Sequence, residues 1–582
     1  ADNILCLRAF KIGVLKQIME DLASGYSNDD LLALYTLTGG IPKYVELFCD
    51  NQALTIDKMY DFVFSENSLF IDEGRNLLIT EFGKNYGTYF SILSEIANGH
   101  YTQGEIESAL GGTAIGGYLS KLENVYNLIT RERPIFAKPG TKKNVRYVIG
   151  DNFLNFWFKY IEQNRSYIEL QKYNFEHNSS KNFIQAVWAK EYNIISETNL
   201  LLESLEKKGN ILNPTLYNVI KGEALAIRAM CHFDLIRLFA KGNLAERREI
   251  LTEPCIPYVT EYSKEITDQQ TYEATLQLLH QDLNDALSYL KSDPLYTGTE
   301  ERPEDYEDVT DNIFFNGTYY KGRETRLSYP AVLLLNARVY LWEGNQEKAL
   351  EYAEKLIKSY EQYVAQGDMQ WATESSYVSS EGDNRDYVFQ GELLFALDVQ
   401  KLNEYIENAY SEHVNGNYNN DRLIQSGQFV EELFTSLSTS DLRFRKQWQI
   451  TGNNFLTIKI RKTEGNWFTN YLPLMRISEA YLIASECLKE SNKKQAVEYM
   501  NFLKTKRNIP TSSFLPEDIS EEELQQEIIQ DYRREFAQEG QLFFCYKRLG
   551  LQTFPGIQHE AMTDVQYQLP YPDIENELGQ RQ

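Results

Sequence analysis

Two segments in the second half of the sequence share a helix, turn and helix pattern, which constrains the fold more than any other feature. Residues 331–357 place small residues such as Ala337 and Ala349 at helical spacing on either side of Gly344, and residues 476–507 repeat the arrangement. Small residues let two helices approach closely. A pair of this kind cannot bury its apolar face alone, so we expect it to stack on further helices, as in tetratricopeptide-type repeats.

Length and charge divide the chain into unlike parts. The 582 residues exceed the usual size of one domain, so more than one folding unit is expected. Residues 1–172 carry a net charge of −4, whereas the remaining residues carry −22. A surface this acidic repels nucleic acid and anionic lipid, and it suits a neutral ligand or a protein partner. The polar run within residues 168–182 reads as the linker between the parts.

The first part contains the segments TGGIPKYVELF, ENSLFIDEGRNLL and DNFLNFWFKYIEQNRS. Over about residues 5–170 it resembles the lid and winged-helix part of the archaeal-type ATPase family. The resemblance implies a helical lid-like segment at 1–65 and a winged-helix-like domain at 66–172, with three helices followed by a hairpin. No GxxxxGK[ST] loop is present to hold phosphates, so ATP hydrolysis does not carry over.

The predicted hairpin of the first part leaves one alternative function open. It is rich in basic residues from Arg131 to Arg146, as a nucleic-acid-binding wing would be. The preceding helix, residues 113–127, offers only Lys121 and lacks the side chains that read base edges. Nucleic acid is therefore not the expected partner. The alternative is a regulatory DNA- or protein-binding protein that uses the winged helix with a helical-repeat scaffold.

Several segments of the second part occur in an order that carries a second resemblance. They are GEALAIRAMCHFDLIRLFA, LLLNARVYLWEGNQEKALEYAEKLI, ELLFALD, PLMRISEAYLIASECL, RREFAQEGQLFFCYKRLG and QLPYPDIENELG. Over about residues 180–582 the chain resembles the SusD/RagB family of nutrient-binding outer-membrane lipoproteins, and we assign this domain to 173–582. The resemblance implies a mostly α fold: a tetratricopeptide-like helical SusD-type scaffold with long loops, preceded here by an unrelated small helical plus winged-helix (α+β) unit.

The second resemblance also implies a function. Family members are not enzymes; they bind oligosaccharide at the cell surface and deliver it to a SusC-type TonB-dependent outer-membrane transporter. The implied location is the outer membrane, surface-exposed, with a lipid anchor in the native family form. Around Cys6 the sequence shows neither an export signal nor a lipobox.

Aromatic residues in polar loops are the candidate ligand-binding residues of this second part. Sugars stack their C–H faces on aromatic rings, and their hydroxyl groups need polar partners close by. Trp371 and Tyr377 lie in QGDMQWATESSYVSSEGDNRDY, Tyr319 and Tyr320 in FFNGTYYKGR, and Trp467 in TEGNWFTNY. We expect one or two of the five to be glycan platforms and the others to be packed loop anchors.

Other tryptophans and the usual catalytic residue types predict no further site. Trp157, Trp188 and Trp342 lie in helical runs and are expected in the core, whereas Trp448 is ambiguous between a strand and a loop. The six histidines are far apart, without ligand spacing, so no metal site, cofactor or catalytic residue is predicted. The scattered cysteines are expected to be buried free thiols.

Overall fold

The computed structural model describes residues 9–23, 25–64, 68–83, 86–133, 145–306, 322–374, 386–400, 402, 413–414, 417–418, 424–434, 440–451, 454–460, 470–557 and 561–578. The chain divides into two compact units, Ala1–Phe183 and Ile184–Gln582. This division falls inside a continuous helix, Asn178–Lys208. The predicted linker, within residues 168–182, thus comprises the non-helical residues 172–177 and the first residues of this helix. Asn and Ser are common at helix starts as well as in loops.

The smaller unit is helical with one β-hairpin. Its helices are α1 Ile12–Leu22, α2 Asn28–Thr38, α3 Pro42–Asp50, α4 Ile56–Phe64, α5 Phe70–Phe82, α6 Tyr86–Ala97, α7 Gln103–Ala109, α8 Gly116–Asn124, α9 Asn152–Phe156 and α10 Arg165–Gln171. Strands β1 Ile129–Glu132 and β2 Arg146–Ile149 pair antiparallel. Three helices thus precede a hairpin, in the expected order; the assignment to a winged helix stays a prediction.

Trp157 organises the core of the smaller unit. Its side chain is fully buried, and its indole N–H donates to the carbonyl oxygen of Ile71 at 3.1 Å. A Cβ atom at Gly74 would lie 2.1 Å from the indole ring, so only glycine lets α5 approach the tryptophan. Trp157 is therefore a core residue, as the sequence predicted.

The larger unit consists mostly of helices joined by long connections. They are α11 Asn178–Lys208, α12 Pro214–Phe239, α13 Tyr272–Tyr289, α14 Tyr329–Trp342, α15 Gln346–Gln366, α16 Gly427–Phe434, α17 Leu442–Gln447, α18 Ser478–Leu488, α19 Lys493–Lys506, α20 Glu521–Glu535, α21 Leu542–Leu549, α22 Asp564–Tyr567 and α23 Asp573–Leu578. Trp188 and Trp342 are buried in it, as predicted.

The two predicted helix pairs are confirmed as α14 with α15 and α18 with α19. Gly344 forms the first turn with a φ of 77°, and a Cβ there would lie 2.8 Å from the backbone of Ala245. Asn345 then caps α15 by accepting the N–H of Lys348 at 3.1 Å. Ala337 and Ala349 are fully buried, because these small residues allow the helices to meet closely.

Short strands connect the helix pairs of the larger unit. They are β3 Leu393–Asp398, β4 His413–Val414, β5 Asn417–Tyr418, β6 Ile424–Ser426, β7 Trp448–Thr451, β8 Asn454–Thr457 and β9 Tyr471–Arg476. β3 and β9 pair antiparallel from Leu393 opposite Arg476 to Asp398 opposite Tyr471, while β6, β8 and β7 form a three-stranded sheet in that order. Trp448 therefore begins a strand, which resolves the ambiguity that the sequence left.

Charged side chains are buried in the larger unit, and they are paired. Arg507, 1% exposed in its side chain, contacts both Glu392 and Glu535. Arg443 contacts Glu535 and two aspartates, and Arg476 contacts Glu539. Buried ions need partners of opposite charge, so this network fixes how the ends of α19 and α20 meet the start of β3.

Candidate functional site

A polar cavity of about 350 Å³ lies where α15 ends and β3 begins. Its lining includes three carboxylates, two side-chain amides, two apolar side chains and two glycines. They are Glu324, Asp368, Asp386, Gln370, Gln390, Met369, Leu393, Gly367 and Gly391. We call it the acidic cavity. Its volume lies at the lower end of the usual range for small-ligand sites, about 300 to 1,000 Å³.

One wall of the acidic cavity follows from the end of α15. Gly367 has a φ of 82°, a left-handed conformation that glycine adopts without strain. Its N–H donates to the carbonyl oxygens of the last helical turn, so the chain leaves the helix at this point. Asp368, Met369 and Gln370 follow directly and line the cavity.

The second wall, residues 386–393, lies against the first through a close backbone approach. A Cβ at Gly391 would lie 2.4 Å from the carbonyl oxygen of Gln370, so any other residue would push the walls apart. The Tyr360 hydroxyl donates to the carbonyl oxygen of Gly391 at 2.9 Å. Glu392, fully buried, accepts the N–H of Ala372 at 3.0 Å. The cavity walls are therefore positioned by buried groups behind them.

Asp386 is the lining carboxylate with the most unusual environment. One oxygen accepts the N–H of Gln390 at 2.8 Å; the other is buried and has no hydrogen-bond partner among the described residues. Burial raises the pKa of Asp386 to about 6, and nearby Glu392 adds to the rise. An unsatisfied buried acceptor is costly. This oxygen has almost no accessible surface, so a ligand in the cavity would reach it only after the wall rearranged.

The acidic cavity offers the groups that a polyhydroxylated ligand needs. Carboxylates accept hydrogen bonds from hydroxyl groups, and charge makes these bonds stronger than neutral ones. The amides of Gln370 and Gln390 can both donate and accept. Met369 and Leu393 supply apolar surface to C–H groups. This combination fits a sugar ring.

Of the five aromatic residues predicted from the sequence, the structure describes one. Tyr319, Tyr320, Tyr377 and Trp467 lie outside the described residues. Trp371 directly follows the first cavity wall, but its side chain is only 5% exposed. The prediction that it is a leading glycan platform is corrected: a ring must present an open face to stack on a sugar, and this ring does not.

Trp371 is instead an anchor of the core behind the cavity. Its ring packs edge-on against Tyr360, Tyr481 and Phe502, with centroid distances of 5.3, 5.7 and 5.6 Å. The ammonium group of Lys506 lies 5.5 Å from the ring centroid. These partners lie up to 135 residues away in sequence. Only the tertiary structure could reveal that a tryptophan in a polar segment is buried.

Sequence reasoning selected the segment around Trp371 but missed the polar residues that line the acidic cavity. Asp368 and Gln370 precede the tryptophan within three positions, and Asp386 ends the same polar segment. Their signal was available, because sugar recognition needs polar side chains beside rings. Glu324 and Gln390 had no such signal, since only folding brings them to the cavity.

The basic hairpin of the smaller unit is partly engaged within that unit. Arg131 pairs with Glu123 and lies 5.4 Å from the ring centroid of Tyr147. Arg146 lies 5.8 Å from the ring centroid of Tyr101. Residues 134–144 lie outside the described part of the chain, so the alternative of nucleic-acid binding stays untested.

The described ranges hold neither a metal-binding cluster nor a membrane-spanning helix. They contain no group of three or more His, Cys, Asp or Glu side chains arranged to hold a metal ion. Within the same ranges, no helix has the length and apolar character that crossing a bilayer requires. Cys231, Cys255, Cys487 and Cys545 are buried free thiols, as predicted, whereas Cys49 is a free thiol that is only half-buried. Cys6 lies outside the described residues.

Comparisons with known sequences give two family matches. The model described as "SusD family" matches residues 309–577, and the model described as "Starch-binding associating with outer membrane" matches residues 146–304. A 175-residue stretch is 33% identical to the uncharacterized protein MJECL04 of Methanocaldococcus jannaschii, covering 28% of this chain and 38% of that protein. A 120-residue stretch is 35% identical to SusD-like protein P2 of Formosa agariphila, covering 18% and 24%. The chain thus spans well under half the length of either curated relative.

Solved structures share the fold. A SusD superfamily protein from Bacteroides thetaiotaomicron aligns with a TM-score of 0.53 and 17% identity, over 83% of this chain and 98% of its own. A SusD-like carbohydrate binding protein from Bacteroides vulgatus aligns with a TM-score of 0.51 and 16% identity, over 85% and 96%. The resemblance of the smaller unit to the archaeal-type ATPase family stays a prediction. Residues 146–304 and 309–577 are therefore similar to two SusD-type families, one of which is described as starch-binding in association with the outer membrane.

Proposed function

We propose that the larger unit binds an oligosaccharide at the acidic cavity and passes it, without chemical change, to a SusC-type TonB-dependent transporter. The observation that carries this proposal is the convergence of hydrogen-bonding side chains from 368–370 and 386–390 on a cavity of about 350 Å³. Similarity to the SusD-type families supports the ligand class. The transporter is proposed from the family alone.

Covalent geometry supports a role for the predicted aromatic residues at this cavity. Tyr320 is four residues before the lining residue Glu324, so their Cα atoms are at most about 14 Å apart. Tyr377 follows Gln370 by seven residues, which limits that separation to about 25 Å. We therefore retain Tyr320 and Tyr377 as the leading platforms.

Tyr319 and Trp467 are retained with them as secondary platforms. Tyr319 adjoins Tyr320 in sequence. Trp467 precedes Tyr471 by four residues, and the Tyr471 phenol interacts with Thr325 and with Glu324, which lines the cavity.

Calorimetric titration with a panel of neutral oligosaccharides tests the binding proposal. Loss of one stacking ring should cost about 1 kcal/mol, so Tyr377→Ala and Tyr320→Ala should each weaken binding about fivefold. The matched control is Tyr262→Ala, at a ring that is 52% exposed and does not line the cavity. If no oligosaccharide binds, or if all three variants bind equally well, the site is wrong.

The transporter proposal needs a separate experiment. The chain should co-purify with a SusC-type transporter when both are expressed in an outer membrane, and it should not co-purify with an unrelated β-barrel porin. Equal recovery with both, or with neither, would contradict the proposed delivery step.

A further inference from the structure

We infer that the acidic cavity selects neutral or amino sugars and excludes sugars that carry carboxylate or sulfate groups. This inference rests on the proposed function and names the ligand class for the same cavity. The observation is the charge of its lining: Glu324, Asp368 and Asp386 contribute carboxylates, and no described lining residue is a lysine or arginine.

Two described cations beside the cavity walls, Arg323 and Arg507, are already paired with protein carboxylates. Arg323, next to Glu324, contacts Glu223 and Asp293. Behind the second wall, Arg507 contacts Glu392 and Glu535. Drawing either guanidinium towards a ligand would leave buried carboxylates unpaired, which is strongly unfavourable. An anionic sugar would therefore meet carboxylates without gaining a described cation.

Neutral and cationic sugars find complementary groups in the same lining. A hydroxyl group can donate a hydrogen bond to the carboxylates of Glu324, Asp368 and Asp386 that line the cavity. An ammonium donor would add charge to the same hydrogen bond and strengthen it. An acidic substituent offers no donor when ionised, and like charges repel most strongly where water is partly excluded. The expected order of affinity is amino sugar, then neutral sugar, then acidic sugar.

The decisive experiment compares oligosaccharides of equal length that differ in charge. Calorimetry would use a chitosan trisaccharide, a maltotriose and a polygalacturonate trisaccharide at pH 7 and low salt, with a chelator present. We expect the acidic trisaccharide to bind at least tenfold more weakly than the better of the other two. Binding of the acidic trisaccharide as tightly as the others overturns the inference and leaves the proposed binding function standing. Binding of none of them contradicts the proposed function itself.

Two variants connect the selectivity to the cavity. Asp386→Asn and Asp368→Asn should each reduce the discrimination against the acidic trisaccharide severalfold, because each removes one like charge. The matched control, Asp268→Asn, changes an exposed aspartate outside the cavity and should leave the discrimination unchanged. If Asp386→Asn does not fold, Asp368→Asn alone decides. The last measurement repeats the titrations with added calcium. If calcium abolishes the discrimination against the acidic trisaccharide, the carboxylates bind metal and the inference is overturned.

Discussion

Glu392 offers the sharpest test of how the acidic cavity is held in place. Three donors converge on its carboxylate: two nitrogens of Arg507, at 2.8 and 2.6 Å, and the N–H of Ala372, at 3.0 Å. In the Glu392→Gln variant the side chain keeps its shape but loses its charge and one acceptor. Its new NH₂ group must face one of these donors, so at least one buried hydrogen bond is lost.

The expected loss of stability in Glu392→Gln depends on the partners that Arg507 keeps. Removing one partner of a buried ion pair costs about 3 to 5 kcal/mol. Arg507 keeps two hydrogen bonds to Glu535, at 2.6 and 3.0 Å, so its charge is not left alone. We therefore expect Glu392→Gln to lower the free energy of unfolding of the larger unit by about 3 kcal/mol, at the low end of that range. The loosened Ala372 contact should also weaken oligosaccharide binding.

Urea unfolding followed by tryptophan fluorescence measures this loss, because five of the six tryptophans lie beyond residue 184. The control is the same substitution at Glu351, whose side chain is 38% exposed and contacts Lys348 and Lys355 on one helix surface. Exposed pairs contribute little, so Glu351→Gln should change the midpoint far less. Equal midpoints for the two variants would refute the reasoning that the buried network positions the cavity walls.

Three further outcomes are expected. Trp371→Ala should lower the unfolding free energy by about 3 to 5 kcal/mol, as for other buried aromatic residues, and a purely local loss of ligand affinity without loss of stability would instead restore its role as a platform. Because burial raises the pKa of Asp386 from 3.8 to about 6, the folded protein holds a proton that the unfolded chain releases between those values. The free energy of unfolding should therefore fall as pH rises through that window, by up to about 3 kcal/mol. Between pH 4.5 and 7 the urea midpoint of Asp386→Asn should fall less than that of the unaltered protein, and an equal fall would contradict a raised pKa at Asp386. Thiol labelling with peptide mass spectrometry should modify the half-buried Cys49 before the four buried cysteines, because burial restricts access of the reagent to them. Equal labelling rates in the folded protein would contradict this order.

In the smaller unit, local sequence patterns predicted several secondary-structure elements correctly. The hairpin from Ile129 to Ile149 and the helices before it follow the sequence pattern, because strand alternation and turn residues are local signals. The boundary between the units was predicted within residues 168–182, and the structure divides them after Phe183. The pattern did not locate the start of the helix Asn178–Lys208, because Asn and Ser fit both a loop and a helix start.

The sequence by itself determined the helix pairs of the larger unit and the likeness of that unit to the SusD/RagB family. Helical periodicity and the Gly344 turn act within a few residues, so they can be read directly from the chain. The acidic cavity was decided by the tertiary structure. Its lining joins Glu324 to residues 368–370 and 386–393, and the burial of Trp371 depends on Tyr481 and Phe502, more than 100 residues away. Burial and charge pairing arise from contacts between distant segments, and no local pattern encodes which segments will meet.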